Sequence, residues 1–158
     1  MTTVYKPSMI LPRGKKVAIV VSKFNDFITQ KLMEGAVGKL EEFGMDKKSI
    51  NVYWVPGSLE IPVVAGAVIK KKKPDVIIAI GAIIRGETDH YNVVMSEANK
   101  GIAQLSLSSG IPIINAILTC DNVDQAIDRA GVKVGNKGAD AATAAVEMLS
   151  LMEQANLV

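Results

Sequence analysis

Nine consecutive residues with no charge or polar side chain, Val76–Ile84 (VIIAIGAII), constrain this chain more than any other feature. A strand with one wet face alternates apolar and polar side chains. A strand with no polar position must be covered on both faces, as in a parallel sheet held between helix layers. Lys16–Ser22 (KVAIVVS), Ile50–Val55 and Ile113–Leu118 read as three more such strands. The stretches between them carry the helical period. After the polar break Phe24-Asn25-Asp26, which offers N-cap residues, Ile28, Leu32, Ala36, Leu40 and Phe43 follow at helical spacing as far as Gly44. Pro56-Gly57-Ser58 turns the chain into a helix over Leu59–Lys72. Pro62 is tolerated in its first turn because that N–H has no helical partner. Tyr91–Ser109 predicts a third helix, ended by Gly110 and Pro112. A short helix then runs to Ala130, Gly131–Gly138 forms a loop, and an alanine-rich helix ends near Gln154.

Strands alternating with helices imply right-handed crossovers and helices on both faces of the sheet. The expected fold is a flavodoxin-like three-layer α/β/α sandwich around a four-stranded parallel sheet. Residues 1–15 have no period and are interrupted by Pro7, Pro12 and Gly14, so they read as an arm, either a free tail or a strand added to a neighbouring sheet. Residues 16–158 read as a single domain, the size expected of one compact unit. A hydrophobic share of 49% suffices for a core without disulfides or metal. It also leaves room for apolar surface between subunits.

A net charge of +2 gives no footprint for nucleic acid. The run Lys70–Lys73 lacks interleaved aromatics and reads as a solvated helix end, where lysines are favoured. With one cysteine, Cys120, and one histidine, neither an intrachain disulfide nor a structural zinc site is expected. No stretch reads as a secretory signal or a membrane span, so the expected location is the cytoplasm, away from membranes.

In open parallel sheets ligands bind beyond the carboxyl ends of the strands. Here those ends are Lys23–Asp26, Val55–Glu60, Ala82–His90 and Asn115–Asp121. The third is the most informative: Gly86 admits close backbone approach, Thr88 offers a hydroxyl, and a helix begins at once, which together make an anion site. Arg129 and Lys133 are candidates for added cationic reach. His90 stands beside this cradle, and an imidazole ordinarily titrates near neutrality, as a proton carrier must. Phe24 either stacks on a planar ring or folds back on the core. Glu60 either binds a polyol or amine or sits favourably in a helix first turn. Gly135-Asn136-Lys137-Gly138 is too short for a Walker loop and reads as a turn and helix start.

Taken in order, several segments resemble the lumazine synthase family. They are Lys23-Phe24-Asn25, Val55 through Pro62, Gly81 through His90, Leu118-Thr119, Gln125-Ala126 with Arg129-Ala130-Gly131, and Gly135 through Gly138. The likeness spans about Val17 to Leu149. It implies a cofactor-free condensation of 5-amino-6-(D-ribitylamino)uracil with 3,4-dihydroxy-2-butanone 4-phosphate, giving 6,7-dimethyl-8-ribityllumazine, phosphate and water, the penultimate step of riboflavin biosynthesis. By motif position, Phe24 would stack on the pyrimidine. Ser58, Leu59 and Glu60 would bind the ribityl side, and Ala82, Ile83 and Ile84 would line the ring pocket. Glu87 and Thr88 would hold the phosphate with Arg129 as cationic partner, and His90 would move protons. Lys137 and Asp140 fall near the family's site. Two positions depart from the pattern: Asn115, where the family usually has Phe, and Leu59, where an aromatic is common. Asn115 becomes a candidate for hydrogen bonding the heterocycle. The resemblance further implies a homo-pentamer with sites between subunits, an arm joining the neighbour's sheet, assembly in many members into a hollow shell, and functional association with riboflavin synthase. A storage protein that kept the pocket without the reaction, an archaeal-type riboflavin synthase and a purely structural shell protein are the competing readings.

Overall fold

The computed structural model describes residues 1–133 and 135–158. Val134, inside the expected Gly131–Gly138 loop, lies outside the described residues. Four strands, β1 (Val17–Ser22), β2 (Ile50–Val55), β3 (Val76–Ile84) and β4 (Ile113–Cys120), pair in parallel in the order β2-β1-β3-β4. The ladders run Val17↔Ile50, Val17↔Val76 and Ile77↔Ile113. Helices α1 (Asp26–Glu42), α2 (Ile61–Lys72), α3 (His90–Ser109), α4 (Val123–Arg129) and α5 (Lys137–Gln154) connect and follow them.

Side chains alternate across the sheet and so divide the core in two. Val17, Ile19 and Val21 of β1 with Val76, Ile78 and Ile80 of β3 face Leu32 and Ala36 of α1 and Ala142 and Ala145 of α5. Ala18 and Val20 with Ile77, Ala79 and Ile83 face Ile61 and Ala65 of α2 and Ala98 and Ile102 of α3. The three-layer sandwich expected from the apolar run is the observed fold. Residues 1–16 contain no helix or strand, and Ser8 is tied to α5, its N–H donating to Ser150 Oγ at 2.9 Å.

Several boundaries differ from the sequence reading. β4 runs two residues further, through Thr119 and Cys120, because the longer β3 still offers Ile83 and Ile84 as partners. The second helix opens as a 3-10 turn at Ser58–Glu60 before α2 proper. α3 begins at His90, one residue early. The N-cap expected of Asn25 is not made: it is left-handed at φ 59° and its side chain makes no cap hydrogen bond.

Close helix packing depends on glycines in α3 and α5. A Cβ on Gly101 would lie 2.6 Å from Pro62 Cγ, so α3 meets the first turn of α2 through a bare backbone. A Cβ on Gly138 would overlap the Leu32 carbonyl oxygen, where α5 crosses α1. Asn136 locks the same crossing. Its Oδ1 accepts from the N–H groups of Gly138 (2.8 Å) and Ala139 (3.1 Å), while Nδ2 donates to the carbonyls of Lys31 (2.9 Å) and Ala130 (3.3 Å). The Gly-Asn-Lys-Gly segment is thus a helix cap and an interhelix clamp.

Replacing Gly138 by Ala should therefore lower the unfolding free energy by about 3 kcal/mol or more, as overpacking against rigid backbone does. Gly38, with nothing within 4 Å of its Cβ position on α1, should behave oppositely, with Gly38→Ala stabilising by roughly 0.5–1 kcal/mol. Urea unfolding of both variants measures the contrast, and a tolerated Gly138→Ala would show that the α1–α5 crossing is looser than described.

Candidate functional site

The exit of β1 is the structural origin of the site. β1 lies between β2 and β3, so the chain leaving it crosses the sheet rim where the connections diverge to opposite faces. Lys23 N–H donates to the Val55 carbonyl at 2.7 Å and Phe24 N–H to that of Pro56 at 3.0 Å, continuing the β1–β2 ladder beyond the strands. Asn25 then turns left-handed, and its Nδ2 donates to the Ala82 carbonyl at 2.8 Å. Thr29 Oγ1 closes the turn on the Ser22 carbonyl at 2.7 Å. Three strand ends are stitched together, and the Phe24 ring is left 72% exposed at their rim.

Beside that ring opens a cavity of about 490 Å³, within the ordinary range for small-molecule sites. Phe24 forms one wall and the Pro56–Glu60 turn another. Ala82, Ile83 and Ile84 supply the apolar floor, and Gly86, Thr88, His90, Tyr91 and Val94 close the far side. Gly81 makes room for the turn: a Cβ there would sit 2.6 Å from Ser58 Oγ and 3.3 Å from Ile117 Cγ2. Ser58 is buried, whereas Thr88 and His90 are exposed. The His90 N–H lies 3.4 Å from Thr88 Oγ1, a long contact at the start of the 20-residue α3, whose positive dipole end points to this rim. One edge of the cavity thus suits an anion, with an imidazole beside it, and its floor suits a planar apolar ring.

A second cavity, of about 420 Å³, lies along the β4 edge. Asn115, Thr119, Arg129, Lys137 and Asp140 line it. Arg129 Nη1 donates to the Gln125 carbonyl at 3.0 Å, and Lys137 pairs with Asp140 at 3.0 Å. The residues singled out from sequence therefore fall into two groups on one chain. Phe24, Ser58, Leu59, Glu60, Ala82, Ile83, Ile84, Thr88 and His90 share the first cavity. Asn115 and Arg129 line the second, and Glu87 lines neither.

Asn115 is the third residue of β4 rather than near its carboxyl end. Its Oδ1 accepts from Ile117 N–H at 2.9 Å and its Nδ2 donates to Asn99 Oδ1 at 2.6 Å; Asn99 Nδ2 in turn donates to the Met95 carbonyl at 2.7 Å. This chain of bonds assigns the amide orientation unambiguously.

Sequence reasoning passed over Tyr91 and Val94, which it took only for the start of a helix. Their spacing was the available signal: three residues apart on the face that continues to Ala98 and Ile102, they carry the core stripe out to the cavity mouth. Arg85 belongs to the third strand end noted from sequence, where it has no assigned role; its Nε donates to Asp121 Oδ1 at 2.8 Å while its guanidinium lies 4.4 Å from the Tyr91 ring centroid. The Asp121 hydrogen bond raises the Arg85 pKa above its ordinary value. At the end of β4, burial pushes the Cys120 thiol up, opposed by the positive charge of Arg129.

A neutral, buried thiol reacts slowly, because the thiolate is the nucleophile. Cys120 should label with a disulfide reagent at pH 8 about 100-fold more slowly in the native protein than in denaturant. Rapid native labelling would mean that the β4 end opens readily.

Fold and site together describe a three-layer α/β protein with a small-molecule cavity at the carboxyl rim of its sheet. Residues 14–153 match the family model of 6,7-dimethyl-8-ribityllumazine synthase, and the chain belongs to that family. Solved structures similar to it include a GDP-L-fucose synthetase from Naegleria fowleri bound to NADP, at 12% identity and a TM-score of 0.46 over 99% of this chain and 50% of that one. A second structure of a GDP-L-fucose synthetase from Naegleria fowleri gives 14% and 0.40, over 96% and 48%. The chain spans about half the length of those proteins, and likeness at that level carries no argument about function. Among the described residues, no helix is long and apolar enough to cross a membrane.

Proposed function

We propose that this protein condenses 5-amino-6-(D-ribitylamino)uracil with 3,4-dihydroxy-2-butanone 4-phosphate to form 6,7-dimethyl-8-ribityllumazine, phosphate and water, without a cofactor, as a transferase of riboflavin biosynthesis. The observation that carries this reading is the meeting of Phe24, the Ser58–Glu60 turn, Thr88 and His90 in one cavity with an apolar floor. Phe24 stacks on the pyrimidine over Ala82, Ile83 and Ile84. Ser58, Leu59 and Glu60 hold the ribityl side. Thr88 and the Glu87 backbone receive the phosphate at the α3 N-terminus. His90 takes a proton as the amine attacks the ketone and returns it to the hydroxyl that leaves as water. The phosphate leaves as an anion with the proton lost from carbon. A second uptake and return by His90 serves the ring closure that releases the other water. Orientation of the two substrates can supply on the order of 7–11 kcal/mol of such a barrier.

Arg129, the cationic partner assigned to the phosphate, lines the other cavity. A complete site therefore requires a neighbouring copy whose β4 edge, with Asn115, Arg129, Lys137 and Asp140, faces the His90 cavity. The exposed apolar side chains Phe24, Phe27, Val63, Val93 and Leu107 support burial against such a copy. A homo-pentamer in the cytoplasm, with residues 1–15 as an arm on the neighbour's sheet, is the assembly this reading adopts. Growth into a larger shell and association with riboflavin synthase extend the same reading.

Mixing the two substrates with the protein should generate lumazine absorbance and fluorescence. His90→Ala should slow turnover by about 10²–10⁴-fold without abolishing it. Arg129→Ala should chiefly impair use of the phosphorylated substrate; unchanged kcat and KM for that substrate would remove Arg129 from the phosphate site. Co-expressing these two variants should restore about a quarter of the sites, since a site built across subunits joins one intact half from each.

Asn115, standing where the family usually has Phe, favours a second reading, a lumazine- or flavin-binding protein without the reaction. Failure to form product alongside tight lumazine binding would favour it. Asn115→Phe should weaken ring binding if the amide contacts the heterocycle, and a tighter Kd in calorimetry would argue against that contact.

A further inference from the structure

Gly86–Asp89 joins the floor of the His90 cavity to α3. Among the described residues this segment has little to hold it from within: the side-chain hydrogen bond found there is the long Thr88–His90 contact of 3.4 Å. Its two ends, by contrast, meet at a single side chain. The Arg85 backbone N–H donates to the Cys120 carbonyl at 2.9 Å, extending the β3–β4 ladder. Its Nε donates to Asp121 Oδ1 at 2.8 Å, and its guanidinium covers the face of Tyr91 at 4.4 Å. Tyr91 is 7% exposed and packs in the α2/α3 core, so the cation rests on a fixed surface. Residues 85 and 91 thus touch across the intervening loop, and β4 anchors the contact.

We propose that Arg85 is a positioning residue for the reaction: a clasp across the base of the Gly86–His90 loop that holds Thr88 and His90 in place without itself touching substrate. The chemistry requires an arginine. Only a planar guanidinium can give an edge N–H to Asp121 while laying its face on an aromatic ring; an ammonium can do one or the other. Fastening the loop ends lowers the entropy the loop must lose when an anion binds, and misplacement of reacting groups by about 1 Å can cost on the order of 10²-fold in rate. The inference rests on the proposed condensation for its kinetic readout and on the loop alone for its physical one.

The test compares Arg85→Gln, Arg85→Lys, Asp121→Asn and the Arg85→Gln, Asp121→Asn double variant in the assembled protein. Amide hydrogen exchange is followed over residues 86–90 and steady-state kinetics with both substrates. Arg85→Gln should speed exchange there by about tenfold. It should also lower kcat by about 10- to 100-fold and raise KM for the butanone phosphate, with KM for the uracil substrate unchanged. Arg85→Lys should recover little of this, and adding Asp121→Asn to Arg85→Gln should change neither readout further. Full recovery by Arg85→Lys would overturn the clasp, because charge alone would then suffice. A raised KM with unchanged exchange would overturn it in favour of direct contact with the phosphate. A wild-type protein that forms no lumazine, with exchange still accelerated in Arg85→Gln, would uphold the clasp and overturn the reaction assigned to the site.

Discussion

The three hydrogen bonds that carry the chain off the end of β1 hold the candidate site together. A strand between two neighbours has to leave the sheet without parting them, and Lys23, Phe24 and Asn25 do this by bonding outward on both sides, to Val55 and Pro56 of the β2 exit and to Ala82 of β3. Asn25 suits that task because its short amide tolerates a left-handed backbone, φ 59°, and still reaches a carbonyl across the rim. Without the stitch, the Phe24 ring, the Ser58 turn and the β3 floor would be three independent loop ends. With it they form one wall system on a rigid sheet, the arrangement that allows loops to hold a ligand precisely.

A second constraint is closeness. Gly81 lets the buried Ser58 press against the sheet, Gly101 lets α3 meet Pro62, and Gly138 lets α5 cross Leu32. All three act on the position of the cavity: the first brings in its turn, and the second sets the angle at which α3 presents His90. The third keeps α5, with Lys137 and Asp140, against α1 and beside the β4 edge. The scarcity of aromatic side chains belongs to the same design, since small and branched residues permit these approaches where larger ones would force the layers apart.

The layers were legible because burial on both faces leaves no polar residue in β3, and the helical periods between the strands supply the covering layers. Strands β2 and β3 were bounded correctly from sequence because turn residues flank both. β4 was cut short since Thr119 and Cys120 look like loop residues, and only pairing with the longer β3, a non-local fact, keeps them in the sheet. Asn25 was misread for a related reason: a cap and a cross-strand tie use the same residue, and spacing does not distinguish them. The membership of each cavity was harder still. Asn115, Arg129 and His90 all lie near loops in the sequence, yet β4 is an edge strand, so what projects beyond it faces away from the β1–β3 rim. Arg85 is visible in the sequence as part of the third strand end, but its role is not, because its partners lie 6 and 36 positions away on elements whose juxtaposition exists only in the fold.

That separation of cavities bears on the electrostatics of the proposed reaction. In a lone chain Thr88 and His90 are exposed and Phe24 is largely bare, so charges at the rim act through water, where they are weak. The same rim covered by a neighbour's β4 edge would lose its water and gain Arg129 and Lys137. An anion held at the α3 N-terminus would then be stabilised by fixed dipoles and cations in a drier medium, which strengthens every such interaction and requires no rearrangement as the phosphate departs. Association on this view supplies the polarity of the site as well as its shape. On that reading the exposed apolar side chains around the cavity would drive the copies together, and Arg129 at the β4 edge would bring positive charge to face the phosphate.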